Sequence, residues 1–281
     1  MAVEPYGGRG TIESLHERIA AATEGYRQSR SKLCFLDSNM WIGRPVHPEF
    51  NTQFNLETLR QRMQRYQIQG GVVSNFTAKD YDPAWGNYEL LKLLAGTGLW
   101  AGIVLVPEMF DPQEAGRVYL SDCIMQGARL ARVFPRTHNF TLQTWCSGAL
   151  LRCLDDHRMP IVVWHTEVSW HEIYELCRSY PNLAVIVEGT GQKIIYHSRM
   201  YYSLLELCPN LYLELHNLVT YLGVEDLVRH FGAQRLIFGS YMPIFDPNVA
   251  LMQVTCARIC EEDKQLIAGR NLSTLIARVR R

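Results

Sequence analysis

The 281-residue sequence predicts an α/β fold, and within that class a closed (β/α)8 (TIM) barrel that forms a single domain with an extra N-terminal helix. Short runs rich in β-branched and aromatic residues alternate with amphipathic helical stretches along the whole chain. Several of these runs, such as "PIVVW" and "RLIFG", are continuously apolar, as expected of parallel strands covered on both faces. Eight strand–helix units in about 250 residues are typical of such a barrel, although a doubly wound open sheet gives a similar pattern.

The elements follow in order from the N-terminus. Residues 1–30 are predicted to form an extension with a helix near 12–29, and residues 31–281 to form the barrel, because no linker-like segment divides the chain. The strand candidates are short and apolar, and they fall at 33–38, 71–75, 102–106, 128–133, 160–165, 183–188, 211–216 and 235–239. The helical patterns between and after them fall at 56–66, 84–97, 112–125, 148–157, 170–179, 193–207, 223–232, 247–260 and 263–280.

Composition argues against several classes of partner. Lys and Arg together number 28, as do Asp and Glu, so no long-range field gathers nucleic acid or an anionic membrane surface. No apolar window reaches the length of a membrane span, about 18 residues, and the N-terminus lacks the features of a secretory signal. We therefore expect a cytoplasmic protein whose partner is a small molecule, with no nucleic acid and no membrane. The eight cysteines are scattered without a Cys-x-x-Cys pair, which predicts reduced, buried packing residues.

Polar and aromatic residues close most of the predicted strands, at the end of the barrel where active sites of this architecture lie. Alternation within the fifth strand puts Ile161, Val163 and His165 on one face. Alternation within the seventh strand does the same for Glu214 and His216. Because helices cover the opposite face, we expect these polar groups to point into the mouth of the barrel. The strand-closing candidates are Asn39, Trp41, Asn75, Glu108, Arg132, His165, Glu167, Glu188, Glu214, His216 and Tyr241.

Six segments carry a resemblance to a known family. They are "LDSNMWIG" in the first strand, "VVSNFTAKDYDPAWGNYELL" after the second, "PIVVWHTE" in the fifth, "LAVIVEGTG" in the sixth, "RLIFGSYMP" in the eighth and "LIAGRNLSTLI" in the last helix. In this order and spacing, over roughly residues 33–278, the chain resembles the amidohydrolase superfamily, in particular its branch of aromatic-acid decarboxylases and lactone hydrolases. The resemblance also makes a homo-oligomer a candidate state, with "TCARIC" at 255–260 either in an interface or packed on the barrel.

The resemblance implies a metal site, and this sequence departs from it. Members of the family usually bind one divalent metal, commonly zinc, through Asp-x-His-x-His in the first strand, histidines at the fifth and sixth, and an Asp after the eighth. The Asp of that first-strand motif is present as Asp37, and the other positions here are Asn39, Trp41, His165, Glu188 and Tyr241, of which only His165 matches. Trp offers no lone pair, and Asn and neutral Tyr are poor ligands. We therefore predict a site without a metal or other cofactor.

The leading interpretation is a metal-independent, amidohydrolase-like hydrolase of a small carboxylate-bearing substrate such as a lactone, with decarboxylation as the less favoured reaction. His165 is predicted as the general acid/base, because an imidazole titrates near neutral pH. Glu188 would orient water or His165, and Tyr241 would donate a hydrogen bond to the reacting carbonyl. The guanidinium of Arg132 would grip the substrate carboxylate. The residues predicted to bind the substrate are Asn39, Trp41, Arg132, Glu167 and His216.

Other interpretations of the same residues stay open. Trp41 would equally well plug the old metal cavity, and Glu188 would equally well form a buried ion pair with Arg132 or Lys193. The chain would then be a catalytically inactive barrel that serves as a binding or partner subunit, with its polar groups locked together and no open pocket. A third interpretation is a metal-dependent hydrolase or decarboxylase with relocated ligands, drawn from His165, Glu167, Glu188, Glu214 and His216.

Overall fold

A single sheet organises the molecule. The computed structural model describes residues 12–46, 54–189, 197–218 and 220–281. Eight parallel strands are hydrogen-bonded in chain order. Their bounds are β1 Phe35–Ile42, β2 Ile68–Asn75, β3 Trp100–Val104, β4 Ala128–Val133, β5 Ile161–Trp164, β6 Val185–Glu188, β7 Leu211–Glu214 and β8 Leu236–Ile237.

Contacts between the two ends of the sheet curl it into a barrel. The backbone N–H of Ser38 donates to the carbonyl of Phe238 at 3.1 Å, and that of Trp41 donates to the carbonyl of Met242 at 2.8 Å. Met40 and Met242 form a parallel bridge. These contacts bring β1 beside β8 and the chain that follows it, so the predicted (β/α)8 fold is confirmed.

Helices surround the barrel. Their bounds are α1 Ile12–Ser31, α2 Leu56–Tyr66, α3 Phe76–Asp80, α4 Pro83–Leu94, α5 Gln113–Met125, α6 Thr144–Asp156, α7 Trp170–Ser179, α8 Ser198–Leu207, α9 Gly223–Phe231, α10 Pro247–Thr255, α11 Glu261–Gln265 and α12 Asn271–Ala277. Short 3-10 segments lie at Pro107–Phe110 and Ala233–Arg235, and a π-helical turn at Leu266–Arg270 joins α11 to α12. None of the helices described is long and apolar enough to cross a membrane.

Local sequence explains where several helices begin. Asn55 caps α2 by accepting a hydrogen bond from a backbone N–H of the first turn. Asp82 does the same for α4, whose first residue is Pro83, a residue that lacks the N–H left unpaired at that position. At α7, Ser169 and Glu172 form a reciprocal capping box. Capping signals in the sequence therefore fix the starts of three helices that pack on the barrel.

Side chains alternate along each strand between the barrel interior and the layer of helices. The large outer cluster joins the outward residues of the strands to the helices, and it includes Val73, Ile103, Ile161, Val163 and Leu213. The lower layer of the interior is apolar, and it consists of Val72, Leu130, Val162, Ile186 and Ile237 with α12 packed against them. Two residues further along the strands, the inward positions belong to Ser74, Arg132, Trp164, Glu188 and Glu214. The fold therefore gathers a polar layer just below the carboxyl ends of the strands.

Several elements differ from their predicted bounds by a few residues, among them β1 and the helix predicted over 247–260. β1 extends to Ile42 instead of ending at residue 38. The apolar run ends at Leu36, and the polar residues Asp37 and Ser38 that follow are hydrogen-bonded to the chain around β8, which satisfies them inside the sheet. The helix predicted over 247–260 ends at Thr255, so "TCARIC" is not a continuous helix. The predicted helix start at residue 193 lies outside the described residues.

The predictions for strand five and the cysteines also need correction. Ile161 and Val163 pack against the helices, so the inward residue of β5 is Trp164, and the prediction that Ile161 and Val163 face the mouth is wrong. All eight cysteines are free, as expected. The buried ones are Cys123, Cys153, Cys177 and Cys208, whereas Cys34, Cys256 and Cys260 are exposed and Cys146 is half-buried. The division into an extension over 1–30 and one barrel domain over 31–281 stays a prediction.

Candidate active site

The guanidinium of Arg132 connects four strands at the level of the polar layer. Arg132 is fully buried, with 0% of its surface exposed. Its Nε donates to Ser74 Oγ at 2.9 Å, its Nη1 to Glu188 Oε1 at 2.9 Å, and its Nη2 to the backbone carbonyl of Ser38 at 3.0 Å. β4 is thereby joined to β2, β6 and β1 through one side chain. Because all three nitrogens of Arg132 already donate to protein groups, the geometry favours a buried ion pair with Glu188 over binding of a substrate carboxylate.

The carboxylate of Glu188 is the counter-charge of that guanidinium. Its Oε1 accepts hydrogen bonds from Arg132 and from the indole Nε1 of Trp164. Its Oε2 has no hydrogen-bond partner among the described residues. Burial raises the pKa of the Glu188 carboxyl above its usual value, and the neighbouring Arg132 opposes that rise. Glu188 is thus held on one side and leaves one oxygen for a further polar partner.

Asn39 and Trp41 occupy the two first-strand positions that carry histidines in the resembled family. Asn39 Oδ1 accepts from Trp41 Nε1 at 2.7 Å and from Arg132 Nη2 at 3.3 Å. The ring of Trp41 stacks on Phe76 at 4.6 Å between centroids and lies 4.9 Å from the guanidinium carbon of Arg132. Both residues are fully buried. The indole therefore fills the floor of the mouth and donates to the amide oxygen beside it, whereas the buried Nδ2 of Asn39 has no hydrogen-bond partner among the described residues.

Asp37 closes the barrel between β1 and the segment after β8. Its Oδ1 accepts from the backbone N–H of Asn39 at 2.9 Å and from that of Ser240 at 3.0 Å. Its Oδ2 accepts from the hydroxyl of Ser240. Burial raises the pKa of Asp37 to about 6, although the hydrogen bond from Ser240 opposes the shift. The carboxyl is therefore tied to the closure of the barrel and titrates close to neutral pH.

Asp37 gives a stability prediction with a definite sign. Because its pKa is higher in the folded protein, at about 6, than in an unfolded chain, the folded state binds the extra proton. The stability that this proton contributes is fully present below the unfolded pKa, about 3.9, and is lost as the pH rises through about 6. Relative to Asp37→Asn, the free energy of unfolding of the wild type should rise by about 2 kcal/mol between about pH 7.5 and about pH 4.5. Urea unfolding at both pH values measures it, and parallel profiles of the two proteins would contradict the shift.

His165 lies one residue beyond β5, above the polar layer. Its Nδ1 is 3.4 Å from the backbone carbonyl oxygen of Glu188. Its Nε2 is buried and has no hydrogen-bond partner in the described part of the chain. Burial lowers the pKa of His165, with His197 and His216 contributing in the same direction and the hydrogen bond to Glu188 opposing it. The imidazole is therefore neutral at neutral pH.

A second imidazole stands at the end of β7. Glu214 accepts a hydrogen bond from the backbone N–H of His216 at 2.9 Å, and its other oxygen contacts the Nδ1 of the same residue. The ring of His216 lies 5.1 Å from that of Tyr241 and 5.7 Å from that of Phe245. The prediction that Glu214 and His216 share a face of the strand agrees with this contact. The carboxylate fixes the orientation of the imidazole at the mouth.

Aromatic rings form a layer over the polar residues. Trp41, Phe134, Trp164 and Tyr241 belong to one buried cluster. Phe134 and Trp164 meet edge to face at 4.9 Å, and Tyr241 meets Trp164 edge to face at 6.2 Å. His165 is 6% exposed and Tyr241 is 8% exposed, whereas Trp41 and Arg132 are not exposed at all. The site thus has a fully buried floor, and above it His165 and Tyr241 keep only a small exposed fraction.

Glu167 lies apart from the other candidates. Its carboxylate accepts hydrogen bonds from the backbone N–H and the hydroxyl of Thr137, both at 2.8 Å, and so holds the loop that follows β4. Lys193, the alternative partner considered for Glu188, lies outside the described residues. The structure therefore brings together Asn39, Trp41, Arg132, His165, Glu188, His216 and Tyr241, and it uses Glu167 in a loop.

Sequence reasoning missed two residues of the site. Trp164 occupies the inward position at the end of β5, and strict alternation along "PIVVW" would have placed it there if the inward face had been assigned to Val162. Lys79, in the short helix α3 after β2, lies over the rings of Phe134 and Trp164. No pattern in the sequence indicated this placement, because it depends on where the loop after β2 meets the loop after β4.

The first-strand residues at the inherited metal positions, Asn39 and Trp41, do not fit a metal. Asn39 Oδ1 and Glu188 Oε1 both accept hydrogen bonds from the guanidinium of Arg132, which would repel a second cation placed between them. Trp41 presents a ring and an N–H, neither of which is a ligand. Within the described ranges, no three His, Cys, Asp or Glu side chains are arranged to hold a metal ion.

Comparison with known proteins gives matches in structure and none in sequence. No protein-family model matches the chain, and neither does any curated protein at a significant level. Among solved structures, a 2,6-dihydroxybenzoate decarboxylase from Rhizobium is 13% identical at a TM-score of 0.69, with 87% of this chain and 99% of that chain covered. A candidate 2-pyrone-4,6-dicarboxylic acid hydrolase from Pseudomonas putida is 14% identical at 0.65, with 88% and 98% covered.

A third similar structure contains a metal. It is a dihydroxybenzoic acid decarboxylase from Polaromonas sp. JS666 with bound manganese and the inhibitor 2-nitroresorcinol, 13% identical at a TM-score of 0.65, with 87% of this chain and 97% of that chain covered. At such identities a structural likeness establishes a common fold and not a common reaction. The chain thus shares the barrel of the amidohydrolase-type decarboxylases and hydrolases, and the resemblance in its sequence is confirmed at the level of fold.

Proposed function

We propose that this chain is an enzyme related to the amidohydrolase superfamily that hydrolyses a small carboxylate-bearing substrate, such as a lactone, with protein side chains in place of a metal. The fold is that of decarboxylases and a candidate lactone hydrolase that act on such substrates by name. The floor of the mouth is closed by Arg132 and Trp41, so the proposed chemistry lies in the layer above, at His165, His216 and Tyr241. Hydrolysis is preferred to decarboxylation, as in the sequence-based interpretation.

The observation that carries the proposal is the state of His165. A carbonyl oxygen only accepts hydrogen bonds, so the contact with the carbonyl of Glu188 assigns the proton of the neutral imidazole to Nδ1. The lone pair is then on Nε2, the nitrogen without a hydrogen-bond partner in the described ranges. Burial lowers the pKa of His165, which keeps this lone pair available at neutral pH. Such a nitrogen is suited to take a proton from an attacking water.

The proposed reaction uses the neighbouring groups in turn. Water adds to the lactone carbonyl carbon as His165 Nε2 takes its proton, and the carbonyl electron pair moves onto oxygen, where the hydroxyl of Tyr241 donates a hydrogen bond. Collapse of this intermediate re-forms the carbonyl and breaks the ring C–O bond, and the leaving oxygen takes the proton that His165 Nε2 accepted, which restores the neutral imidazole. His216, oriented by Glu214, binds the substrate beside it. Glu188 is a positioning residue, because its carbonyl orients His165 and its carboxylate is paired with Arg132.

The proposal predicts a large loss of turnover in His165→Ala. Carboxylate-bearing lactones and hydroxybenzoates are offered to the purified protein, with acid release measured for hydrolysis and carbon dioxide for decarboxylation. The variant should lose kcat by about a hundredfold, because the general base is gone. His171→Ala, at an exposed histidine of α7, is the matched control and should retain full activity. Turnover that is unchanged in His165→Ala would remove the proposed role.

The second candidate is a catalytically inactive barrel that serves as a binding or partner subunit. The observation that favours it is the floor of the mouth, where Arg132 and Glu188 are locked in an ion pair and aromatic rings lie above them. It predicts a stably folded protein that turns over no member of the substrate panel.

Relocated metal ligands, the third interpretation, predict stoichiometric zinc, manganese or iron in the purified protein, which elemental analysis measures. That the chain forms a homo-oligomer stays a prediction, and sedimentation analysis of the purified protein tests it.

A further inference from the structure

Lys79 is fixed over the mouth by contacts on both sides of the barrel. Helix α3 begins directly after β2, so its residues lie at the carboxyl end of the strands. The backbone carbonyl of Lys79 contacts Nε2 of His138 at 2.7 Å, and His138 belongs to the loop after β4. Asp80 accepts a hydrogen bond from the backbone N–H of Val46 at 3.1 Å, in the chain after β1. Three strand-end segments therefore hold this short helix in place.

The ammonium of Lys79 lies against aromatic rings of the candidate site. Its Nζ is 5.1 Å from the ring centroid of Trp164 and 5.5 Å from that of Phe134. It forms an ion pair with the carboxylate of Asp80, and the two side chains are 13% and 9% exposed. A cation over ring faces in a partly desolvated setting is attracted more strongly than one in water. The structure therefore already contains an ammonium, a carboxylate and two flat rings in contact at the rim of the site.

Lys79 is better placed than Arg132 to bind a substrate carboxylate. Arg132 is fully buried and donates to Ser74, Glu188 and the carbonyl of Ser38. Lys79 keeps part of its surface exposed, and of the three N–H donors of an ammonium the described contacts use one. A substrate carboxylate at the rim would meet this ammonium before it met the guanidinium below.

We propose that Lys79, with the rings of Phe134 and Trp164, forms the subsite that binds the carboxylate of a planar substrate. This proposal rests on the proposed function for its relevance to turnover, but the binding it describes is measured without turnover. Asp80 occupies the position of the substrate carboxylate when the site is empty, because it pairs with the same ammonium. The substrate carboxylate either displaces Asp80 from the ammonium of Lys79 or binds the same ammonium beside it. Lys79 is therefore a specificity-determining residue and Asp80 its internal competitor.

Two variants with opposite expected effects test the proposal. Benzoate, the simplest planar carboxylate, is titrated calorimetrically into the full-length protein, with methyl benzoate as its neutral counterpart. Lys79→Met should weaken benzoate binding by about tenfold or more, since a charge-assisted hydrogen bond is lost, and should leave methyl benzoate binding unchanged. Asp80→Asn should strengthen benzoate binding several-fold, because the competing charge is removed.

Lys92→Met is the matched control, since Lys92 is an exposed lysine of α4, and it should bind benzoate as the wild type does. Wild-type protein that does not bind benzoate, or equal benzoate affinities of the wild type and Lys79→Met, would overturn the proposal. A loss of affinity for methyl benzoate as large as that for benzoate would do the same, because it would indicate a distorted pocket and not a lost charge. Turnover that is insensitive to His165→Ala would overturn the catalytic proposal while leaving this binding result intact.

Discussion

Arg132→Met is expected to lower the free energy of unfolding by about 3 to 5 kcal/mol, because it leaves the carboxylate of Glu188 buried without its counter-charge. Both side chains are almost completely enclosed, so water cannot replace the lost partner. The variant also leaves the hydroxyl of Ser74 and the carbonyl of Ser38 without the donors that bind them. Methionine is chosen because it is flexible and fills the space without bringing a charge.

A double-mutant cycle separates the ion pair from the packing around it. Urea unfolding is measured for the wild type, Arg132→Met, Glu188→Gln and the double variant, and the double variant should be less destabilised than the sum of the single changes by about 2 kcal/mol or more. Arg117→Met is the matched control, since Arg117 pairs with Asp156 on the surface, and it should cost less than about 1 kcal/mol. A loss of under about 1 kcal/mol in Arg132→Met would contradict a sealed, charged floor.

Trp41→Ala should be about as damaging, with an expected loss of about 3 to 5 kcal/mol in the free energy of unfolding. The ring is fully buried, stacks on Phe76 and lies about 6 Å from the rings of Phe134 and Trp164. Its removal opens a cavity in the middle of the aromatic layer, and neighbours tied to the strands can close that cavity only in part. Trp145→Ala, at a tryptophan that is 83% exposed, is the matched control and should change stability by under about 1 kcal/mol.

Trp41→Phe separates the ring from its N–H. It keeps an aromatic face against Phe76 but removes the donor to Asn39, so about 1 to 3 kcal/mol of the loss should remain. If Trp41 only plugs the floor, both variants should bind benzoate like the wild type once the folded fraction is accounted for. If it forms a wall of the substrate site, benzoate affinity should fall in Trp41→Ala and be retained in Trp41→Phe. The same titration thereby decides between the two interpretations that the sequence leaves open for this residue.

The fold was predictable because its signals are local. Apolar runs such as 102–106 and 161–164 carry the hydrophobic pattern of a parallel strand, and residues such as Ser169 and Asp82 mark helix starts without reference to distant parts of the chain. Where prediction failed, tertiary bonds had satisfied residues that look unsuited to their element. The strand predicted over 33–38 ended too early, because β1 continues to Ile42, and the carboxylate of Asp37 within it is satisfied by bonds to Ser240, 203 residues away.

The candidate site was predictable as a set of strand-end residues but not as a set of pairs. The sequence indicates that Arg132 and Glu188 both close strands of the barrel, yet that reasoning left either Arg132 or Lys193 as the partner of Glu188. The choice of Glu188 follows from alternation, because both side chains are inward and lie in one layer, whereas Glu167 follows the end of β5 and turns to a loop. Lys79 lay beyond prediction, since its position depends on how two loops pack, and loop packing leaves no periodic trace in the sequence.

The guanidinium at the floor also governs how this barrel could be redesigned. Restoring a single imidazole, for example with Trp41→His, would place it beside a permanent positive charge that already holds the oxygens of positions 39 and 188. A zinc ion would then have to displace the guanidinium of Arg132, which is part of the chain. Replacing Arg132 first would leave the carboxylate of Glu188 buried without a counter-charge. If the proposed metal-free function is correct, conversion to a metalloenzyme requires simultaneous replacement at several strands, and laboratory evolution that proceeds one substitution at a time should stall at unstable intermediates.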